Sequence, residues 1–522
     1  MIKESYDLLS KEYSGEKVKS LVEQIISFHR IQASPGFRAT AEYVAKILSE
    51  SGLEVEIFKF SANEKTSFWN YSSFQESVID EAQLFLISEH SIEKIADYNE
   101  SRLSVIQRSI PTPINGIEAE LIVLEKGEKE EEYKNLQIKG KIVLSSGDIN
   151  KVFSLAVQKY GAIGIITDRI TEWPPIREKI DLPDALQYTS FWWYPGMKKC
   201  FGFTVSPRAG MRIRAQARTK PLKVRAVITS KLYNGTLEVL SAKIPGETEE
   251  EILAVAHMCH PKPSANDNAS GVCTLIETAR VISALVRAGM IKKPRRTIRF
   301  LFVPEMTGTV AFLSNNEKIM RNIVAGLNLD MVGEDQVICR SILMVDSTPL
   351  AFPTFVNAYV KYLFSFLPKD LKTFSSSEHF SSFRYAFVKF SGGSDNEILS
   401  DPTVDIPTPS FTNWPDKYYH TSEDTIDKVS PKTLWNVGTV SMTYLYTMAN
   451  ICSLDFAFLA ALTEEYCEEE INTFYKNTVA TLFNLSQSNF NNIAIEQMGR
   501  WSHISKFWTQ WLTAHLSHFQ HL

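Results

Sequence analysis

The sequence predicts an α/β chain built on a mostly parallel sheet with helices on both faces, with a β-rich inserted domain and C-terminal helices. Three observations predict it. Residues 235–450 alternate short apolar strand runs with helical ones, the rhythm of strand–helix–strand units. Residues 103–234 carry short β runs separated by turns, and the chain after 450 is helical in character and rich in aromatics. With 522 residues, 44% of them hydrophobic, the chain is long enough to fill more than one core.

The elements follow in order. Residues 1–60 read as two amphipathic helices and a strand: TAEYVAKILSESG repeats apolar residues at helical spacing and stops at Gly52, and VEIFKF then alternates. Residues 61–100 are aromatic and polar with little periodicity. Within the β-rich text, IKGKIVLSSGDINKVFSLAVQKYGAIGIITD reads strand, turn, helix, strand, with Gly161 and Gly164 marking the turn into the second strand. Then LEVLSAKIP, ILAVAHM, TIRFLFVP and VAGLNLDM read as strands, with VCTLIETARVISALVRAG and TVAFLSNNEKIM as helices between them. The division implied is a main domain from 1–62 and 235–450, an insertion with linker at 63–234, and a helical extension at 451–522. In that extension Trp501, His503, Trp508, Trp511, His515 and His518 form a stripe that reads as a packed helix or a subunit contact, so a homo-oligomer is expected.

Composition excludes several functions. A net charge of -5 offers no basic field for nucleic acid or for an anionic membrane. No apolar run reaches the roughly 18 residues that cross a bilayer, and the polar N-terminus contains no apolar signal segment. Cys200, Cys259, Cys273, Cys339, Cys452 and Cys467 are scattered with no CxxC pair, as reduced thiols are, so the expected compartment is the cytoplasm.

The chemistry concentrates at strand ends. His257 ends ILAVAH, Glu305 ends TIRFLFVPE, and Asp330 ends VAGLNLD; Asp267 stands in SANDNASG just before a helix, and His420 in the loop KYYHTSEDT. Ligands of doubly wound sheets bind beyond the carboxyl ends of the strands. Two imidazoles and two carboxylates suit Zn²⁺, and a further carboxylate can hold an attacking water as general base. Each residue also has an ordinary reading: Asp330 as a turn residue, Asp267 as a helix N-cap, and His420 beside a capping box of Thr421 with Asp424.

Taken together and in this order, AHMCH, DNASG, PEMTG, LNLDM and YYHTSEDT resemble the co-catalytic zinc aminopeptidases of the aminopeptidase Y type, relatives of glutaminyl cyclases and of the glutamate carboxypeptidase and transferrin receptor ectodomains. Ser394 and Asp395 in GGSDN resemble that family's Ser-Asp-His segment, and residues 103–234 resemble a protease-associated domain. The resemblance implies that Asp267 bridges two zinc ions, that His257 and Asp330 complete one site, that His420 binds the other, and that Glu305 is the general base. It implies an aminopeptidase acting on short peptides, with one or two zinc ions per chain and cobalt or manganese as substitutes. Two positions depart from the pattern. Met306 stands where the family has a second glutamate ligand, and Cys259 where it has an aspartate that orients the histidine. The vacancy leaves His260, Glu305 or Glu397 as donors, and His260 is read first as a capping or orienting residue. It also leaves open a single-zinc enzyme such as a glutaminyl cyclase, or an inactive peptide-binding or assembly relative.

Overall fold

The computed structural model describes residues 2–88, 91–352 and 354–483, together with residues 506 and 510. The aromatic stripe Trp501, His503, Trp508, Trp511, His515 and His518, and the subunit contact read from it, lie outside the described residues.

The main sheet has eight strands: β1 (Glu54–Ala62), β2 (Gly235–Ile244), β3 (Glu251–His257), β4 (Thr297–Val303), β5 (Ile323–Leu329), β6 (Ile342–Asp346), β7 (Tyr385–Val388) and β8 (Ser410–Trp414). Their order across the sheet is β1-β2-β4-β3-β5-β8-β6-β7. The four central strands β4, β3, β5 and β8 are parallel, and β2 and β6 reverse direction at either side. Central parallel strands are covered on both faces, which is why ILAVAH is apolar without alternation and every residue of β3 is buried. Side chains still alternate in direction: Ile252, Ala254 and Ala256 pack on one face, Leu253 and Val255 on the other.

The first face is covered by α1 (Ile2–Glu12), α2 (Gly15–Ile25), α3 (Pro35–Glu50), α4 (Gly271–Arg287) and α6 (Pro431–Asn450), and the second by α5 (Thr307–Asn315). Three helices, not two, precede β1. The Ser14 hydroxyl accepts from the Lys17 amide and starts α2, and Ser34 with Pro35 starts α3. The helical run ends by Gly52, whose φ of +85° suits a residue without a side chain. The stretch Ala265–Arg287 is long and apolar enough to cross a bilayer, but 83% of its apolar window is buried inside the protein. It is the central core helix.

Between β1 and β2 the chain builds a second sheet of seven strands. In order they are Ser91–Asp97, Glu76–Ser88, Leu222–Tyr233, Ile117–Val123, Ile142–Ser145, Gly164–Thr167 and Phe201–Thr204. The strand–helix–strand reading holds, with Ile142–Ser145 parallel to Gly164–Thr167 and helical residues 149–159 between them. The reading of 61–100 as aperiodic does not hold. Glu76–Ser88 is a long strand with a β-bulge: Ile79 pairs with Ser230, Glu81 with Thr229, and Asp80 is the extra residue. The bulge shifts the buried positions from Ser77 and Ile79 to Ala82, Leu84 and Leu86, so no single period of two runs through the segment.

Candidate metal centre

The site is assembled where the parallel strands end. His257 closes β3, Asp330 follows β5, and Glu305 lies two residues beyond β4, on the other side of β3. Asp267 arrives from the lead-in to α4 and His420 from the loop after β8. All five expected residues therefore converge.

Asp267 stands at the centre. Its Oδ1 lies 3.3 Å from His257 Nε2, which is 2.9 Å from Asp330 Oδ1. Its Oδ2 lies 3.0 Å from His420 Nε2 and 3.5 Å from His260 Nε2. Two triads result, His257–Asp267–Asp330 and His260–Asp267–His420, and within each the ligand atoms are mutually within 4.8 Å. The first reading of His260, as a capping or orienting residue, meets a different placement: its ring nitrogen joins His420 and Asp267. The chain leaves the strand at His257, and His260 adopts φ 140° while exchanging two backbone hydrogen bonds with Arg30, at 2.9 and 3.1 Å. That turn swings the second histidine of HMCH back over the strand end, which strand geometry would have forbidden.

Do these donors fit a cation? His260 Nδ1 lies 2.7 Å from the Cys259 carbonyl oxygen, which can only accept, so Nδ1 carries the proton and Nε2 presents a lone pair. That lone pair faces His420 Nε2 at 3.2 Å. Asp267 Oδ2 is buried and makes no hydrogen bond despite these close nitrogens. Converging lone pairs and an orphaned carboxylate oxygen suit a zinc ion, with the Cys259 carbonyl orienting the imidazole.

The other candidates are placed elsewhere. Glu397 accepts from the Gly393 amide and is in neither triad. The Met306 side chain packs against the apolar cluster of the second face. Asp395 accepts from the Met306 amide at 2.8 Å and from the Thr309 hydroxyl at 2.7 Å, pinning the start of α5. Cys259 Sγ accepts from the Glu305 amide at 3.3 Å and lies 3.7 Å from His257 Nδ1, and burial pushes its thiol up. Asp424 is no capping-box partner of Thr421. Its carboxylate accepts from the Asn266 amide at 2.8 Å and the Asp267 amide at 3.1 Å, holding the loop that carries Asp267. The Asn266 side chain in turn donates to Glu334 at 2.8 Å.

Electrostatics separate the roles. Burial disfavours a charged His257, yet the carboxylates of Asp330 and Glu305 outweigh it and hold its pKa well above the usual value. Burial raises the Glu305 carboxyl to about 8, with Asp330 and Asp267 adding to the rise and His257 opposing it. A carboxyl titrating near neutrality can both take and return a proton. Two tyrosines frame the histidines: Tyr419 stacks on His420 at 3.7 Å, and Tyr188, from the second sheet's connections, meets His260 and His420 edge-on. Tyr188 belongs to no motif, so nothing in the sequence marked it; burial keeps its phenol protonated.

Fold and site define a class, that of α/β chains whose candidate metal-binding side chains meet at the ends of central parallel strands. A zinc aminopeptidase from Bacillus subtilis superposes with a TM-score of 0.59 at 18% identity, covering 84% of this chain and 95% of that one. The peptidase M28 precursor from Shewanella amazonensis gives 0.60 at 17%, covering 86% and 97%. These likenesses show a shared fold. The chain belongs to the family described as domain of unknown function DUF4910, whose model matches residues 19–342. Residues 240–445 also match the model of peptidase family M28, and that match, which contains His257, Asp267, Glu305, Asp330 and His420, supports a peptidase function. A Clostridium acetobutylicum protein, named for polysaccharide biosynthesis and an aminopeptidase-like domain, is 30% identical over 226 residues, 43% of this chain. The match covers 46% of that relative, about half its length.

Proposed function

We propose that the chain is a zinc-dependent aminopeptidase that removes the N-terminal residue of short peptides. The observation that carries this reading is the convergence of His257, His260, Asp330 and His420 on the two oxygens of Asp267, with Glu305 alongside. His257, Asp267 and Asp330 would hold one ion, and His260, Asp267 and His420 the other. Zinc bound there would lower the pKa of a water and polarise the scissile carbonyl. Glu305 would take the proton of the attacking water on its carboxylate and return it to the leaving amine. Asp424 keeps the Asp267 loop in place, and Cys259 receives the Glu305 amide and so fixes that backbone.

The single-zinc alternative rested on the ligand missing at Met306, and His260 beside His420 supports two positions instead. The unpaired state of all six thiols supports a cytoplasmic setting. Residues 63–234 belong to the proposal as a protease-associated-like domain beside the site mouth, and so does homo-oligomerisation. The test is hydrolysis of aminoacyl-anilides by the purified protein, with chelator and then with zinc, cobalt or manganese added back. Metal-dependent release of the anilide is expected. No turnover under any metal would end the enzyme reading.

A further inference from the structure

One loop of the metal centre is gripped by the connections of the inserted sheet. That loop, residues 417–422 after β8, carries His420, whose φ of 56° is left-handed for a residue with a side chain. Such a backbone persists only where its surroundings hold it. Arg177 is fully buried and reaches across to it. Its Nε donates to the Thr171 carbonyl of its own segment at 2.7 Å, and its Nη1 to the carbonyls of Lys417 at 3.2 Å and Tyr419 at 2.8 Å. Residues 186–188 then run antiparallel to 420–422: the Tyr188 amide donates to the His420 carbonyl at 2.7 Å, and the Ser422 amide to the Leu186 carbonyl at 2.8 Å. The Leu186 amide donates to the Ser422 hydroxyl at 3.0 Å. The carbonyls of 417, 419 and 420 thus all accept from the insertion. Trp173, tied to Arg177 by two backbone hydrogen bonds, meets Trp414 edge-on at 5.1 Å, and Trp414 meets Tyr419, the ring stacked on His420, at 5.2 Å.

The remaining metal-binding candidates are held by the main domain. His257 ends β3, and Asp330 donates its amide to the Phe411 carbonyl at 3.1 Å. Asp267 donates its amide to Asp424 at 3.1 Å, and the turn of His260 is tied to Arg30. The two triads therefore differ in what supports them. His257–Asp267–Asp330 is fixed within the main domain, whereas His260–Asp267–His420 is complete only with a loop whose middle the insertion shapes. A planar guanidinium that serves carbonyls of both segments at once fixes their relative position more firmly than a flexible ammonium would.

We propose that the insertion sets the affinity of one metal position and not the other: Arg177 is the residue that positions His420, and a cation binds tightly at His260–Asp267–His420 only while the insertion grips the 417–422 loop. The His257–Asp267–Asp330 position keeps its affinity without that grip. The proposal rests on the two-ion reading of the centre given above and does not depend on which peptides the site cleaves. Outer groups that orient a metal-binding imidazole act on metal affinity, so the effect of Arg177 is read there and not from turnover.

The experiment is calorimetric titration of the metal-stripped full chain with zinc, which resolves two affinities in the parent. Arg177→Met keeps the bulk and removes the donors; it is expected to weaken one ion by about 10–100-fold and leave the other unchanged. Arg177→Lys, the milder change, should weaken the same ion by less, and it carries the test if Arg177→Met does not fold. Tyr133→Phe serves as control. It removes a buried hydrogen bond to the Gly127 carbonyl elsewhere in the insertion, so it should lower thermal stability and leave both affinities at the parent values. In a His420→Ala background the remaining ion should bind equally well with Arg177 or Met at position 177, because the arginine acts through His420. Parent affinities in both Arg177 variants, equal weakening of both ions, or a further loss in the His420→Ala background would overturn the proposal and leave the two-ion reading standing. A parent protein that binds fewer than two ions would overturn both.

Discussion

Asp267 is the residue on which the centre depends, and Glu305 the one that distinguishes a catalyst from a metal-binding module. Glu305→Gln keeps the side chain's shape but cannot accept a proton. Turnover should fall by roughly 10²–10⁴-fold with zinc content unchanged; loss of zinc in that variant would make Glu305 a ligand. His260 gives the second prediction at this scale. Removing it as His260→Ala leaves the second triad with only Asp267 and His420, so metal analysis by mass spectrometry should show a fall from about two ions per chain towards one. Met306→Glu should not raise the count, because the Met306 side chain packs into an apolar cluster instead of the triads. Two ions retained in His260→Ala would remove His260 from the ligand set. The meeting of His257, Asp267, Asp330 and His420 with Glu305 was legible because each sits in a short motif and the motifs come in a known order. His260 was not, because its role depends on a backbone turn after β3, at φ 140°, that no spacing rule reports.

At the scale of elements, the centre depends on connections more than on strands. The strands β3, β4 and β5 were readable because central parallel strands are continuous apolar runs. The bulged strand Glu76–Ser88 was not, since the extra Asp80 changes the parity of its buried positions. Thr421 and Asp424 have capping-box spacing, but in the fold the Asp424 carboxylate turns to the amides of Asn266 and Asp267 instead. Asp424→Ala would leave those two buried amides unpaired, at a cost of about 1–3 kcal/mol each. It would also loosen the loop that presents Asp267, and loss of such outer support typically weakens metal affinity about 10–100-fold. Zinc titration of the variant checks this; parent affinity would mean that the loop holds its shape without Asp424.

For the whole molecule, the question is how the second sheet relates to the first. Sequence placed the onset of the β-rich insertion near residue 103. The structure pairs Glu76–Ser88 with Leu222–Tyr233, so strands from both ends of the inserted text close one sheet. The two connecting chains meet at a polar joint. Arg38 of α3 binds Glu238 of β2 at 2.7 Å and Glu76 at 2.8 Å, and Glu76 also accepts from the Tyr233 hydroxyl at 2.6 Å and the Thr236 amide at 3.0 Å. This joint buries Glu76 and half-buries Tyr233, Gly235 and Thr236 but leaves Asn234 exposed, and the entry chain before it is open at Lys65, Trp69 and Asn70. Limited trypsin digestion is therefore expected to cut first near Lys65. If the insertion folds by itself, as proposed, a further cut near its exit should release a compact piece beginning between 63 and 76 and ending near 234. Mass spectrometry of the fragments decides the matter. A resistant piece that begins beyond residue 103 would require Glu76–Ser88 to part from its sheet, and cleavage scattered evenly through 76–233 would show that the second sheet has no stability apart from the first.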